Sequence, residues 1–261
     1  MSALVLPIAT LWWREMIRFC RQRSRITGAL AQPLVFWALL GGGLSASFKP
    51  PGAPEGTGYA EYFYPGIIAM VILFTAIFST ISVVEDRKQG FLQGVLVAPI
   101  GRGAIILGQA LGGTSLALLQ ALLFLVLAPL VGIRLGAGAV LQVGVVAFLV
   151  AIGLVNLGLL IAWRLDSTQG FHAIMNLILL PMWFLSGAFF PAEGAPVVLE
   201  WLMRVNPLTY GVAALRHSLY LGNPGAAGPI PSLGLSLSVI VAFAAVSFAA
   251  AAWTASRKEI S

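Results

Sequence analysis

Six long apolar runs divide the chain, and shorter polar segments separate each run from the next. Each run has at least the roughly 20 apolar residues that a helix needs to cross a membrane. The runs lack the alternation that transmembrane strands require, and a helix satisfies its own backbone polar groups in lipid. We therefore predict an all-α integral membrane protein with six transmembrane helices. The predicted spans are 27–48, 62–84, 103–133, 140–163, 170–190 and 232–253.

The composition supports this class of protein. Hydrophobic residues make up 59% of the 261 residues and charged residues 9%, whereas soluble domains carry about 25% charged residues. The whole chain, 1–261, is interpreted as one transmembrane domain. Cys20 is the only cysteine, so no intrachain disulfide can form. The net charge of +6 comes mainly from a cluster near the N-terminus, which indicates membrane orientation rather than a nucleic-acid partner.

The Lys and Arg residues between the spans predict the orientation. With six spans, both termini lie on one side of the membrane, and that side carries 11 of the 15 Lys and Arg residues. Because cytoplasmic loops are enriched in Lys and Arg, we expect both termini in the cytoplasm. The segment 85–102, which we call the charged island, is then cytoplasmic as well.

The charged island has the features of a short docking helix. Glu85 and Asp86 are expected at the N-terminus of this helix, where acidic residues complement the helix dipole. Positions 91, 92, 95 and 96 give it an apolar face, and Pro99 ends it. A mixed helix of this kind docks into the groove of a partner. The alternative is a plain surface loop between two spans.

An amphipathic interfacial helix is predicted over 4–26. Its basic stripe, at the spacing i, i+4, i+7 and i+11, consists of Arg14, Arg18, Arg21 and Arg25. Trp12 and Trp13 lie on the other side of the helix. A basic stripe opposite aromatic residues is typical of a helix that lies at anionic lipid headgroups. The helix acts either as an orientation anchor alone or also as a contact for a cytoplasmic partner.

The segment 191–231 holds two amphipathic stretches, 197–205 and 210–221, which are each too short to cross a membrane. We expect two short re-entrant helices on the outer side, since such helices are allowed where they pack on protein. Arg216 is expected to pair with Glu193 or Glu200. Contact of Arg216 with lipid headgroups is the alternative.

The chain lacks the sequence signatures of catalysis. It has no Gly-x-x-x-x-Gly-Lys-[Ser/Thr] loop for phosphate, no His-Glu-x-x-His, and too few His and Cys residues for an ordinary zinc site. We predict no metal, no cofactor and no enzymatic activity for this chain alone. Every Asp and Glu lies in a loop or at the edge of a span, which disfavours an ion-coupled secondary transporter. That class and a non-transporting membrane scaffold stay as alternatives.

Polar residues within the spans have two interpretations. Gln and Asn side chains there, Asn176 among them, either join helices by hydrogen bonds or contact a cargo. His172, near the start of the fifth span, is interpreted as an interface histidine rather than a proton relay. Gly108 and Gly112 have the Gly-x-x-x-Gly spacing that lets helices approach closely.

Two regions of the chain resemble the ABC-2-type exporter permeases. The charged island reads EDRKQGFLQGVLVAPIGR, and in that family an acid, a Gly, a Leu-rich turn, a Pro and a basic residue follow the second span. The stretch Leu179–Arg216 resembles the C-terminal signature of the family. Its matching positions are Leu179, Met182, Leu185, Ser186, Ala188, Ala195, Pro196, Pro207, Leu208, Tyr210 and Arg216. The six spans and the re-entrant outer segment agree with the family, so the resemblance covers nearly the whole chain.

This resemblance implies the membrane subunit of an ATP-driven exporter in a plasma membrane, the inner membrane of a bacterium. Two copies, or this chain and a close paralogue, would form a path between the first, second and fifth spans for a drug, a lipo-oligosaccharide or a lipid-linked cargo. Two ATP-binding subunits, which hold ATP and Mg, would dock on the cytoplasmic side. The implied coupling residues are Glu85, Asp86, Arg87, Gly90, Leu92, Leu96, Pro99 and Arg102. The interfacial helix, with Trp12, Trp13, Arg14, Arg18, Arg21 and Arg25, would lie against the same subunit, and the outer signature residues are Pro196, Pro207, Tyr210 and Arg216.

Overall fold

The computed structural model describes residues 2–21, 31–43, 58–98, 100–192, 195–222, 227–228 and 230–257, and all regular secondary structure in these residues is helical. This confirms the predicted all-α fold. The helices are α1 Ser2–Arg21, α2 Ala31–Gly41, α3 Tyr59–Ser79, α4 Ile81–Lys88, α5 Phe91–Val97, α6 Arg102–Leu125, α7 Ala137–Ala162, α8 Thr168–Trp183, α9 Val197–Val205, α10 Pro207–Leu219 and α11 Leu233–Arg257.

Five helical segments in the described part of the chain are long and apolar enough to cross a membrane. They are Tyr59–Lys88, which joins α3 and α4, then α6, α7, Thr168–Ala188 and α11. These segments coincide with the second to sixth predicted spans. The first predicted span, 27–48, contains α2, and both ends of that span lie outside the described residues.

The central helix of the bundle is α3. Its side chains from Tyr62 to Leu73 are all buried, and it packs against α6, α7, α8 and α10. A helix that is apolar all round has no face for solvent. This explains why the second apolar run carries no charge between Glu61 and Glu85.

Glycine brings α7 close to its neighbours. A Cβ atom added at Gly158 would lie 2.7 Å from Thr80 Oγ1, and one added at Gly153 would lie 2.7 Å from the ring of Phe243. Both distances are shorter than real Cβ contacts. The backbone of α7 therefore lies as close to α3 and α11 as small residues allow, which maximises van der Waals contact between helices in lipid.

The helix α8 ends in a broken turn. Phe184–Ala188 is a π-helical turn in which Leu185 leaves helical geometry and Gly187 has a φ of +77°. Glycine adopts this left-handed conformation without steric cost. Beyond the break, Ala188 packs on Gly66 of α3, where an added Cβ would lie 2.9 Å from the Ala188 Cα.

The helices α9 and α10 are joined at Asn206, and we call the pair the α9–α10 hairpin; α10 enters the bundle only part of the way. They have 9 and 13 residues. At the start of α10, Leu208 lines a small cavity with Val150, which lies half-way along α7. Beyond the end of α10, Leu221 packs on Gly138 at the start of α7. The path of α10 from the middle of α7 back to its N-terminal end is that of a re-entrant helix, and α10 begins three residues before the predicted stretch 210–221.

Candidate functional site

The charged island forms a helical hairpin rather than a single short helix. Glu85 and Asp86 lie in the second half of α4, which continues α3 after a turn at Thr80. The prediction that both acids lie at the N-terminus of a docking helix was therefore wrong, because the helix of the second span extends to Lys88. Gly90, with a φ of +77°, makes the turn into α5. Glycine is the residue that takes this conformation without strain.

Asp86 holds two arginines of α1. Both Arg14 Nη atoms donate to the Asp86 carboxylate at 2.6 Å, and Arg18 Nη1 donates at 3.0 Å. Arg18 also pairs with Glu85. The hydrogen bond with Asp86 raises the pKa of Arg14 above its ordinary value. Since Asp86 is only 1% exposed, its charge is satisfied inside the chain and does not face a partner.

These contacts correct the expectation for α1. Arg14 and Arg18 face the charged island instead of lipid headgroups, because two carboxylates on α4 lie within reach. Arg14 also stacks over the ring of Phe91, 3.8 Å from its centroid. Arg21 is exposed at the end of α1, and Arg25 lies outside the described residues. The exposed side of α1 is apolar and includes Leu6, Trp13 and Ile17.

The inner side of α1 packs into a groove on α6 that two glycines form. An added Cβ at Gly108 would lie 3.0 Å from the Cβ of Leu11, and one at Gly112 would lie 2.8 Å from the Cβ of Glu15. Trp12 Nε1 donates to Ser115 Oγ at 3.0 Å. The Gly-x-x-x-Gly spacing was visible in the sequence, but its partner helix was not.

Glu15 is a buried acid at this contact. It is 6% exposed, and burial raises the pKa of its carboxyl above the ordinary value. Arg18 and Arg14 oppose this shift, and Asp86 adds to it. The charges of α1 and α4 therefore form one cluster of two arginines and three acids.

Arg87 joins the charged island to the connection between α7 and α8. Its guanidinium donates to the carbonyls of Leu165 at 2.7 Å and Trp163 at 3.0 Å, and it pairs with Asp166 at 3.0 Å. We call the end of the bundle with these contacts the island end, and the end near Gly138 the opposite end. The island is thus anchored on two sides, to α1 and to the connection between α7 and α8.

The tip of the charged island is exposed. Its exposed positions are Lys88, Gln89, Gly90, Phe91, Gln93, Gly94 and Val97. Leu92 is buried, and the half-buried Arg102 begins α6. The Leu96 side chain and Pro99 lie outside the described residues. A partner that contacts the island would therefore meet its turn and the outer face of α5, and not Asp86.

The residues of the outer signature hold the re-entrant hairpin in place. Pro196 precedes α9 and Pro207 begins α10. Tyr210 Oη donates to the Arg204 carbonyl at 2.9 Å. The buried Arg216 donates to the carbonyl of Tyr62 at 3.2 Å and lies 4.2 Å from the centroid of its ring.

The prediction that Arg216 pairs with Glu200 was wrong. Glu200 pairs with Arg204, one turn along α9, at 2.5 Å. Glu193 lies outside the described residues. Arg216 points into the bundle, where a backbone carbonyl and an aromatic face are available, and so it attaches α10 to α3.

A polar stripe lies exposed on α8, and the sequence analysis missed it. Gln169, His172 and Asn176 follow at spacings of three and four residues, and Leu180 and Phe184 continue the same stripe as an apolar half. Asn176 is exposed, so the interpretation that it joins helices by hydrogen bonds does not hold within this chain. The 3–4 spacing of the three polar residues was the signal that could have revealed the stripe.

The exposed side of α11 is mainly apolar, in contrast to the polar stripe on α8. Its exposed side chains include Leu235, Val241, Val246 and Trp253, and Ser238 bonds to its own helix. Because polar side chains are costly in hydrocarbon, the α8 stripe fits a protein or water environment, whereas α11 fits lipid. Within the described part of the chain no cluster of three His, Cys, Asp or Glu could hold a metal ion.

Comparison with known proteins identifies relatives. Residues 7–220 match the family described as ABC-2 type transporter. The chain is 29% identical to a putative transport permease ycf38 of Cyanophora paradoxa, over 80% of this chain and 73% of the relative. It is 26% identical to Nodulation protein J of Rhizobium leguminosarum bv. viciae, over 91% of this chain and 89% of the relative. It is also 28% identical to a probable multidrug ABC transporter permease YbhR of Escherichia coli (strain K12), over 58% of this chain and 42% of the relative.

Proposed function

This chain belongs to the ABC-2 type transporter family, and we propose that it is the membrane subunit of an ATP-driven exporter whose ATP-binding subunits dock on the charged island. The observation that carries this proposal is the anchored island. Its tip is exposed, while Asp86 attaches it to α1 and Arg87 attaches it to the connection between α7 and α8. A partner that displaces the tip moves these elements together.

The island transmits force because it is stiff. Its first helix, α4, follows α3 after the single turn residue Thr80, and its two anchors consist of charge-assisted hydrogen bonds, which are stronger than neutral ones. A partner shifts an equilibrium between two states only if its contacts differ between them. ATP-binding subunits that hold the tip differently with and without ATP would thereby move α1, α3 and α8.

A second copy, or a close paralogue, supplies the other wall of the path in this proposal. Two copies related by a two-fold axis present the same face to each other. The α8 stripe supports this role because its polar half needs a cover that lipid does not provide. The apolar half, Leu180 and Phe184, suits the hydrocarbon part of an amphipathic cargo such as a drug or a lipid-linked oligosaccharide.

The orientation belongs to the same proposal. The island end faces the cytoplasm of a bacterium and both termini lie there, in accord with the excess of Lys and Arg on that side. The membrane is the inner membrane. ATP and Mg are held by the partner subunits, and this chain itself catalyses no reaction.

Co-purification tests the docking site. The chain is expressed with the ATP-binding subunit of its transporter, as wild type and as Val97→Glu, which places a charge on an apolar side chain that is 75% exposed at the tip. We expect the variant to lose the partner subunit while its insertion in the membrane is unchanged. The matched control is Leu130→Glu, at an apolar position that is 74% exposed between the end of α6 and the start of α7, at the opposite end.

Two results would count against the proposal. Full co-purification by Val97→Glu together with loss by Leu130→Glu would place the partner at the end opposite to the charged island. Transport that an uncoupler abolishes, and that persists when the partner cannot hydrolyse ATP, would identify an ion-coupled carrier instead.

A further inference from the structure

Side chains from another part of the chain bond to backbone carbonyls at the broken end of α8. The turn Phe184–Ala188 departs from helical geometry at Leu185 and Gly187. A backbone polar group without a partner is costly in a membrane interior, because no water is present there to replace the missing hydrogen bond. The side chains that satisfy these carbonyls therefore hold the break in its present form.

One side chain from the re-entrant hairpin meets this need. Asn206, between α9 and α10, donates from Nδ2 to the carbonyls of Met182 at 2.7 Å and Leu185 at 3.0 Å. Thr209 Oγ1 donates to the same Leu185 carbonyl at 3.1 Å. The hairpin is thus bonded to the last regular turn of α8 and to Leu185, the first residue that leaves helical geometry.

Asn206 also caps α10. Its Oδ1 accepts a hydrogen bond from the Leu208 amide at 3.0 Å, which satisfies one of the free N–H groups at the helix start. A side-chain amide provides two donors and an acceptor at once, whereas Asp provides acceptors only and Ser a single hydroxyl. The three hydrogen bonds of Asn206 therefore use a combination that its close substitutes lack.

We infer that Asn206 is a positioning residue that makes the α9–α10 hairpin move with α8 during transport. This inference rests on the proposed function. In the proposed function the stripe on α8 faces the path, and Arg87 bonds the charged island to Leu165 in the connection that leads into α8. A movement that begins at the island reaches the broken end of α8, and Asn206 passes it to the hairpin at the opposite end. The hairpin then opens the exit of the path only when α8 moves.

Two reporter positions separate movement of α8 from movement of the hairpin. In a Cys20→Ser background, one reporter is Leu177→Cys on α8 and the other is Val198→Cys on α9; both native side chains are more than 70% exposed. The complex with its ATP-binding subunit is labelled with a membrane-impermeant maleimide, without nucleotide and after trapping with ATP and vanadate. In the otherwise wild-type complex we expect nucleotide to change the labelling rate at both reporters.

Asn206→Asp is the test variant, because it keeps the acceptor that caps α10 and loses both donors. We expect nucleotide to change labelling at the α8 reporter as before and to have no effect at the α9 reporter. Thr209→Val, which removes one hydrogen bond to Leu185 and leaves Asn206 in place, is expected to reduce the α9 response by part. This second variant keeps the test decisive should Asn206→Asp fail to fold.

The outcomes distinguish the inference from the function on which it rests. A nucleotide response at both reporters in Asn206→Asp, equal to that without the substitution, would overturn the role of Asn206 alone. An equal loss at both reporters would assign Asn206 a purely structural role and also overturn it. No response at either reporter with Asn206 intact would overturn the proposed function, and the inference with it.

Discussion

Asp86 lies at the centre of the ion pairs that join α1 to the charged island, and its three hydrogen bonds come from two arginines. Removing one partner of a buried ion pair leaves the other charge unpaired, which typically costs more than the pair itself contributes. The side chains of Arg14 and Arg18 are partly exposed, at 30% and 17%. Water therefore compensates for part of that loss.

We predict that Asp86→Asn lowers the free energy of unfolding by about 3 kcal/mol. Chemical unfolding in detergent, followed by tryptophan fluorescence, measures this change. Glu85→Gln is the control: its carboxylate pairs with Arg18 but is 32% exposed, so we expect a loss below about 1 kcal/mol. Equal losses in the two variants would contradict a cluster centred on Asp86.

Glu15 gives the stability of α1 a dependence on pH. Burial raises the pKa of its carboxyl in the folded chain, so the folded state binds a proton over a range in which the unfolded state has released it. Stability from this group is therefore present at low pH and falls as the pH rises above the ordinary carboxyl value. The neighbouring groups Arg14, Arg18, Asp86 and Ser82 set the size of the effect.

We predict that Glu15→Gln flattens the decrease in unfolding temperature between about pH 5 and about pH 8. Differential scanning fluorimetry at a series of pH values checks this. Glu200→Gln removes a carboxylate from the pair with Arg204 on α9 and should leave the wild-type profile unchanged. A steeper decrease in Glu15→Gln than in wild type would show that the raised pKa is not the cause.

At the scale of elements, the position of α1 depends on the glycine groove of α6. A Cβ at Gly112 would lie 2.8 Å from the Cβ of Glu15, so even Ala there has to move α1 outward. We expect Gly112→Ala to destabilise the protein by about 1–3 kcal/mol, as overpacking does, and to speed hydrogen exchange in α1.

The control for this prediction lies on the same helix. Gly103→Ala on α6 meets no atom within 4 Å, and Ala has a higher helix propensity than Gly by about 1 kcal/mol. It should therefore leave hydrogen exchange in α1 unchanged and raise stability slightly. A Gly112→Ala variant as stable as wild type, with slow exchange in α1, would mean that α1 does not rely on the groove.

The sequence predicted well those elements whose composition allows a single structure in a membrane. An apolar run of more than 20 residues forms a helix in lipid, and the limits of α7 and α11 agree with the predicted spans to within four residues. The partners of polar side chains were harder to predict from the sequence. Asp86 meets Arg14 across 72 positions of the chain, and Arg216 bonds to a backbone carbonyl that leaves no mark in the sequence. The break at Gly187 was hidden because glycine is frequent throughout the chain.

For the whole molecule, the faces of the outer helices predict where lipid ends and protein begins. The α8 stripe carries Gln169, His172 and Asn176, while the exposed face of α11 is apolar. Polar groups in hydrocarbon are expensive, so the two faces have different surroundings. We therefore predict that two copies meet through α8, an arrangement that would cover the polar stripe and leave α11 in lipid.

Cysteine cross-linking checks this arrangement in the membrane. In a Cys20→Ser background, we expect Leu177→Cys on α8, where the native side chain is 75% exposed, to form dimers with a short bismaleimide. Residues near a two-fold axis meet their own copies, so no second reactive site is needed. Val246→Cys on α11, 69% exposed in the native chain, is the matched control and should stay monomeric, because lipid separates it from other copies. Dimers through Val246→Cys and none through Leu177→Cys would place the second copy on α11. The polar stripe of α8 would then require a cover other than an identical chain.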